Sequence, residues 1–215
     1  PIEFVHEDIR CVVTQREVGT HTRSFKAALR GALREDPDVV LIGEMRDLES
    51  VSMALETAET GHLVFGSLHT TTAASTVDRI IDQFPAMQQD QIRTMLASSL
   101  RGVVSQILCK AIDGSRVAAR EILFNTPPIA NLIRERKMFQ VGSIMQTSKR
   151  MGMVTMNDAL MALVESGEIS AAEAHANATD KAGIVAALLA KGLDGIPDAA
   201  RDPANVRRPP NRAPG

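Results

Sequence analysis

The sequence predicts an α/β protein with a parallel sheet, flanking helices and a small helical region behind it. Two observations carry that class. Val39-Val40-Leu41-Ile42, between Pro37 and Gly43, and His62-Leu63-Val64-Phe65-Gly66-Ser67-Leu68-His69 are short apolar runs of the kind that form fully buried strands. Stretches with helical spacing surround them, so helix, strand, helix, strand and helix follow one another, as in βαβ units.

Each element has a local reason. Phe25, Ala28, Leu29, Ala32 and Leu33 share one face of a helix over 22–35, which must end before Pro37. Asp47 is the expected N-cap of a second helix, carrying Leu48, Val51, Leu55 and Ala58 and closing at Gly61. Thr72 is placed to cap a third helix running to about Phe84. Beyond Pro85, Ile92, Met95, Leu96 and Ser99 mark a fourth. Val103 to Ile112 and Arg116 to Phe124 flank Asp113-Gly114-Ser115, which reads as a β-hairpin. Pro127 and Pro128 suit a helix start, where their missing N–H groups cost nothing, and only short helices are legible after them. Half of the ten prolines lie from Pro197 onward, among Arg201, Arg207, Arg208 and Arg212, so 194–215 is expected to be a disordered tail.

Composition narrows the function. The chain has 215 residues, 44% of them apolar, enough for a core. A net charge of −2, no Trp, no Tyr and six Phe argue against a nucleic-acid binder. Cys11 and Cys109 make no metal or disulfide framework and read as reduced thiols of a cytoplasmic protein. The longest apolar stretch, Ile184 to Ala190, is far short of a membrane span.

In parallel sheets, ligands sit beyond the carboxyl ends of the strands. Glu44 follows the first strand and His69 closes the second, which suggests the hydrolysis half of a nucleotide triphosphatase. Such a site needs a carboxylate to orient water and cations or donors to meet the transition-state charge. Glu44 fits the first task, with Gly43 letting the backbone turn closely, although a simple pairing with Arg46 at a strand end is equally compatible. His69 can bond a phosphate or sense its loss. His62, at the strand's other end, reads more readily as structural. No Gly-x-x-x-x-Gly-Lys-[Ser/Thr] occurs. With Pro1 in place of a starting methionine, the chain is expected to be the C-terminal part of a larger protein.

Three segments together closely resemble the PilT-like type IV pilus retraction ATPases: Pro1-Ile2-Glu3-Phe4-Val5-His6, then Leu33 to Asp47, then Thr60 to Thr71. They are similar to that family's Asp box, atypical Walker B and His box, in the family's order, and the likeness runs from Pro1 to about residue 170. It implies a RecA-like (AAA+-like) P-loop core, here without its phosphate-binding loop, over 1–125, and a helical subdomain over 126–193. It implies Glu44 as the catalytic glutamate after Gly43, Glu3 as the Asp-box carboxylate, and His62 and His69 as the His-box pair. Arg46 and Arg79 are expected to hold the switch or the subunit interface. ATP and Mg²⁺ are the implied cofactors, with the main metal ligand expected upstream of Pro1. The implied assembly is a homo-hexamer at the cytoplasmic face of the inner membrane, pulling on a pilus platform protein, with related pilus ATPases as possible partners.

Ile129, Asn131, Leu132, Ile133, Arg134 and Glu135 resemble a signature needed for pilus disassembly, but Pro128 and Ala130 replace its usual alanine and first arginine, removing one cation. Secretion and pilus-extension relatives carry a four-cysteine zinc module. Cys109 stands without neighbouring cysteines, which favours retraction. The alternatives are a non-hydrolysing accessory paralogue and a secretion or pilus-assembly ATPase.

Overall fold

The computed structural model describes residues 2–193 and 195, so the expected tail lies almost entirely outside the described residues. The chain divides into two compact units.

The first unit comprises residues up to His69 together with Arg79–Ser99. Helix α1 spans Phe25–Ala32, begins at the Ser24 side chain, which accepts from Ala27 N–H, and passes into a 3-10 turn over Leu33–Glu35. It is therefore shorter than its apolar spacing predicted. Strand β1 (Val39–Ile42) pairs in parallel with β2 (Leu63–Gly66), in the register Val39 to Leu63 and Leu41 to Phe65. Between them α2 (Leu48–Glu59) starts at Asp47, which accepts from Ser50 N–H at 2.8 Å while the Ser50 hydroxyl bonds back to Asp47 N–H. Gly61, with φ of 104°, takes the chain out of that helix. Helix α4 (Gln89–Ser99) packs on α2.

Two expectations need correction here. The strands are buried on one face only: Ile42 is buried, whereas Leu41 is 75% and Phe65 53% exposed. Alternation across a strand puts Val39, Leu41, Leu63 and Phe65 on one side, and no described helix covers it. Glu3, implied as the Asp-box carboxylate, lies in no strand, because residues 2–5 are irregular and exposed or half-exposed.

The second unit comprises Thr70–Asp78 and the chain from Leu100 onward. Helix α3 (Ala73–Asp82) begins within it, and Thr72 caps that helix by accepting from Ser75 N–H. Strands β3 (Gly102–Lys110) and β4 (Arg116–Phe124) form the expected antiparallel hairpin, turned by Gly114 at φ of 86°. After it come α5 (Pro127–Arg134), α6 (Val141–Thr147), α7 (Met156–Glu165), α8 (Ala171–Asn177) and α9 (Lys181–Ala190). The inner face of the hairpin, with Cys109 and Ala119, shares one core with Met156, Leu160, Ile169, Ala174, Ile184 and Leu188. Two further ties join the hairpin to the helices: Ile122 and Val154 exchange backbone bonds, and Glu173 of α8 accepts from Lys110 N–H. The hairpin thus packs with the helices beyond residue 126, where the sequence reading grouped it with 1–125.

Leu160 is fully buried in that core. Truncating it to alanine is expected to cost about 2–5 kcal/mol, whereas Leu41→Ala on the exposed sheet face should stay within about 0.5 kcal/mol. Urea unfolding of both variants followed by circular dichroism checks the contrast.

Candidate functional site

Beyond the carboxyl ends of β1 and β2 the two chains stay bonded. Met45 N–H donates to Ser67 O at 2.9 Å, and the Ser67 hydroxyl donates to Gly43 O. The Met45 side chain lies over Gly66, where a Cβ would come within 2.5 Å of Met45 Cε and 2.7 Å of its Sδ and would make that flexible side chain move. Glu44 and His69, 25 residues apart, are brought face to face.

His69 Nε2 lies 2.6 Å from Glu44 Oε1, and Arg46 Nη2 lies 2.5 Å from Glu44 Oε2. An ionised carboxylate only accepts, so Nε2 of His69 carries the proton in this contact. The Glu44 side chain is 24% exposed, against 76% for Arg46 and 85% for His69. The hydrogen bond from Arg46 holds the Glu44 carboxyl below the usual carboxylate range. Partial burial opposes this, and the His69 bond adds to the lowering. Glu44 raises the Arg46 guanidinium in return. Because the Glu44 value falls on folding, the clasp contributes at neutral pH, and that contribution is lost as pH drops through the folded value.

The other candidates are placed differently. His62 stands at the opposite end of β2, where Nδ1 meets the Thr60 hydroxyl at 3.0 Å and Thr57 O at 3.3 Å, closing off α2. A parallel strand sends its two ends to opposite sheet edges, so His62 is not brought to Glu44. Glu3 is exposed and makes no hydrogen bond or ion pair with the cluster. Arg79 is exposed on the last turn of α3. In α5, Ile129, Leu132 and Ile133 are buried. On its outer side Asn131 and Lys137 both donate to Glu135, with Arg134 exposed beside them. Ala130 is buried, so the missing arginine of the signature falls on the inward side of this helix. Ser67, Met45 and Gly66 were missed by sequence reasoning; their only signal is that small or flexible residues adjoin both strand ends.

Chemically, the cluster offers a carboxylate able to orient a water, beside a guanidinium and an imidazole able to meet an anion. Among the described residues no group of three or more His, Cys, Asp or Glu is gathered to hold a metal ion.

The family described as "Type II/IV secretion system protein" matches residues 1–199. The type IV pilus retraction ATPase PilT of Pseudomonas aeruginosa is 55% identical over 184 residues, covering 86% of this chain and 52% of that protein. A twitching motility protein of Neisseria gonorrhoeae is 55% identical over 171 residues, covering 79% of this chain and 46% of that protein. The crystal structure of the pilus retraction motor PilT with bound ADP is similar with a TM-score of 0.77 at 51% identity, over 84% of this chain and 51% of that one. The chain spans about half the length of the curated relatives it matches.

Replacing Arg46 by alanine removes the first cause of the lowered Glu44 value. The Glu44 carboxyl should then titrate at higher pH, toward the ordinary range, as read by carbon-detected NMR of the side-chain carboxyl. An unmoved titration would contradict the clasp.

Proposed function

Because the chain belongs to the Type II/IV secretion system protein family, we propose that it forms the hydrolytic part of an ATP-driven motor that retracts type IV pili and so powers twitching motility. The observation that carries this reading is the Glu44 carboxylate held between Arg46 and His69 at the carboxyl ends of two parallel strands. The names and lengths of the similar proteins support it, and they make the whole protein's activity and partners part of the proposal.

Glu44 orients the lytic water. Each of its oxygens accepts one bond and keeps an acceptor site for that water, and losing either partner would strengthen its pull on the water's proton. Arg46 and His69 are exposed and can leave Glu44 for the γ-phosphate of ATP, freeing the carboxylate as they neutralise the phosphate. Mg²⁺ accompanying ATP would supply further charge neutralisation on the phosphates, with its main ligands outside residues 1–215. Gly43 allows the close turn. Glu3 supports Glu44 or the metal shell once the rest of the protein orders that segment, and Arg79 serves the switch or the subunit interface. His62 steadies the α2–β2 junction rather than touching phosphate. The protein works as a homo-hexamer at the cytoplasmic face of the inner membrane. The outer side of α5, with Asn131, Arg134 and Glu135, transmits force toward a membrane platform protein, and related pilus ATPases are further candidate partners.

Glu44→Gln in the full-length protein is expected to lower ATP turnover by about 100-fold or more while sparing affinity for a fluorescent ATP analogue. Turnover within a few-fold of wild type would overturn the role. Residues 1–215 alone, which contain no Gly-x-x-x-x-Gly-Lys-[Ser/Thr], are expected to release no phosphate from ATP in a phosphate-release assay.

A further inference from the structure

Glu121 is a buried carboxylate that this chemistry does not use. It lies on β4 between Ala119 and Leu123 on the core side of the hairpin, only 7% exposed, and no cation among the described residues pairs with it. Its partners are two backbone amides. Ala73 N–H donates to Oε1 at 2.6 Å and Met156 N–H donates to Oε2 at 3.1 Å.

Those amides open two different helices. Ala73 is the first residue of α3 and Met156 the first of α7. First-turn N–H groups have no partner within their own helix, and a helix N-terminus carries about half a positive charge. The carboxylate is thus balanced by two helix ends instead of a lysine or arginine. Ala73 and Met156 are both fully buried, so water cannot replace it.

Each helix already has an ordinary cap. Thr72 accepts from Ser75 N–H in α3 and Thr155 accepts from Asp158 N–H in α7. What Glu121 adds is a link across 48 residues of sequence on one side and 35 on the other. The segment entering α3 is itself tied to that helix: the Thr70 and Thr76 hydroxyls lie 2.7 Å apart, and the Thr76 hydroxyl donates to Thr72 O at 2.8 Å. That segment begins one residue after His69.

We propose that Glu121 is a positioning residue: it locks the segment leading out of His69 to the first turn of α7, and ATP turnover depends on this lock although Glu121 touches no nucleotide. The dependence on turnover rests on the motor reading above; the lock does not.

The test uses the full-length protein with Glu121→Gln, Thr155→Ala and the double variant. Glutamine keeps the shape, but its amide nitrogen cannot accept, so one helix start loses its acceptor. Amide hydrogen exchange, which needs no ATP, should quicken about tenfold in whichever of 70–78 and 155–162 loses its acceptor in Glu121→Gln, the scale expected for one orphaned buried N–H, and should quicken in the other as well because the two helix starts are tied through this side chain. Thr155→Ala should quicken both segments when Glu121 is present, but only 155–162 when it is Gln. A response confined to one segment in Glu121→Gln, or identical spreading in both backgrounds, would overturn the lock. For turnover, Glu121→Gln should lower kcat about tenfold with KM for ATP within about twofold, well below its unfolding temperature. Both segments loosened with kcat unchanged would reduce Glu121 to a structural pin and overturn the positioning role. A wild-type protein without turnover would sink the motor reading and that role together, while the exchange result still decides the lock.

Discussion

The parallel pairing of β1 with β2 is the constraint on which the candidate site depends. In-register strands of equal length end at one level, so Glu44 and His69, two and three residues past them, leave the sheet at the same end and can meet. The backbone bond from Met45 to Ser67 and the Ser67 hydroxyl's bond to Gly43 O carry the pairing past the strand ends, and the capping box of α2 begins at Asp47, three residues after Glu44. Glu44 is therefore held from both sides by backbone geometry, while its partners approach on exposed side chains.

Exposure divides the two carboxylates that organise this chain. Glu44 pairs with groups that are mostly in water, where an ion pair contributes little net stability and is readily exchanged. Such a clasp suits a place where a phosphate must compete. Glu121 is bonded to buried amides that have no alternative partner, so its bonds are costly to break. One arrangement is suited to switching, the other to holding.

Much of this was legible from residue patterns. Asp47 and Thr72 act as caps, Asp113-Gly114 turns the hairpin, Pro127 opens a helix, and Glu44 and His69 meet as their spacing suggested. What failed depended on neighbours a local pattern cannot contain. An unbroken apolar run cannot say whether a second layer covers Leu41 and Phe65, and the reading of two buried faces was wrong for the described residues. The direction of β2 separates His62 from His69, a consequence of strand geometry that a two-histidine motif conceals. Glu121 left a signal that went unread: in the alternating run Ala119, Glu121, Leu123, a glutamate occupies an inward position, and an inward carboxylate requires partners.

A structure of the full-length protein with Mg²⁺ and a non-hydrolysable ATP analogue tests the central claim most directly. The account predicts the γ-phosphate beside Glu44, separated by one water at hydrogen-bond distance of about 3 Å, with His69 or Arg46 turned from the carboxylate to the phosphate. An analogue bound elsewhere, with the clasp of Glu44, Arg46 and His69 unchanged, would contradict it.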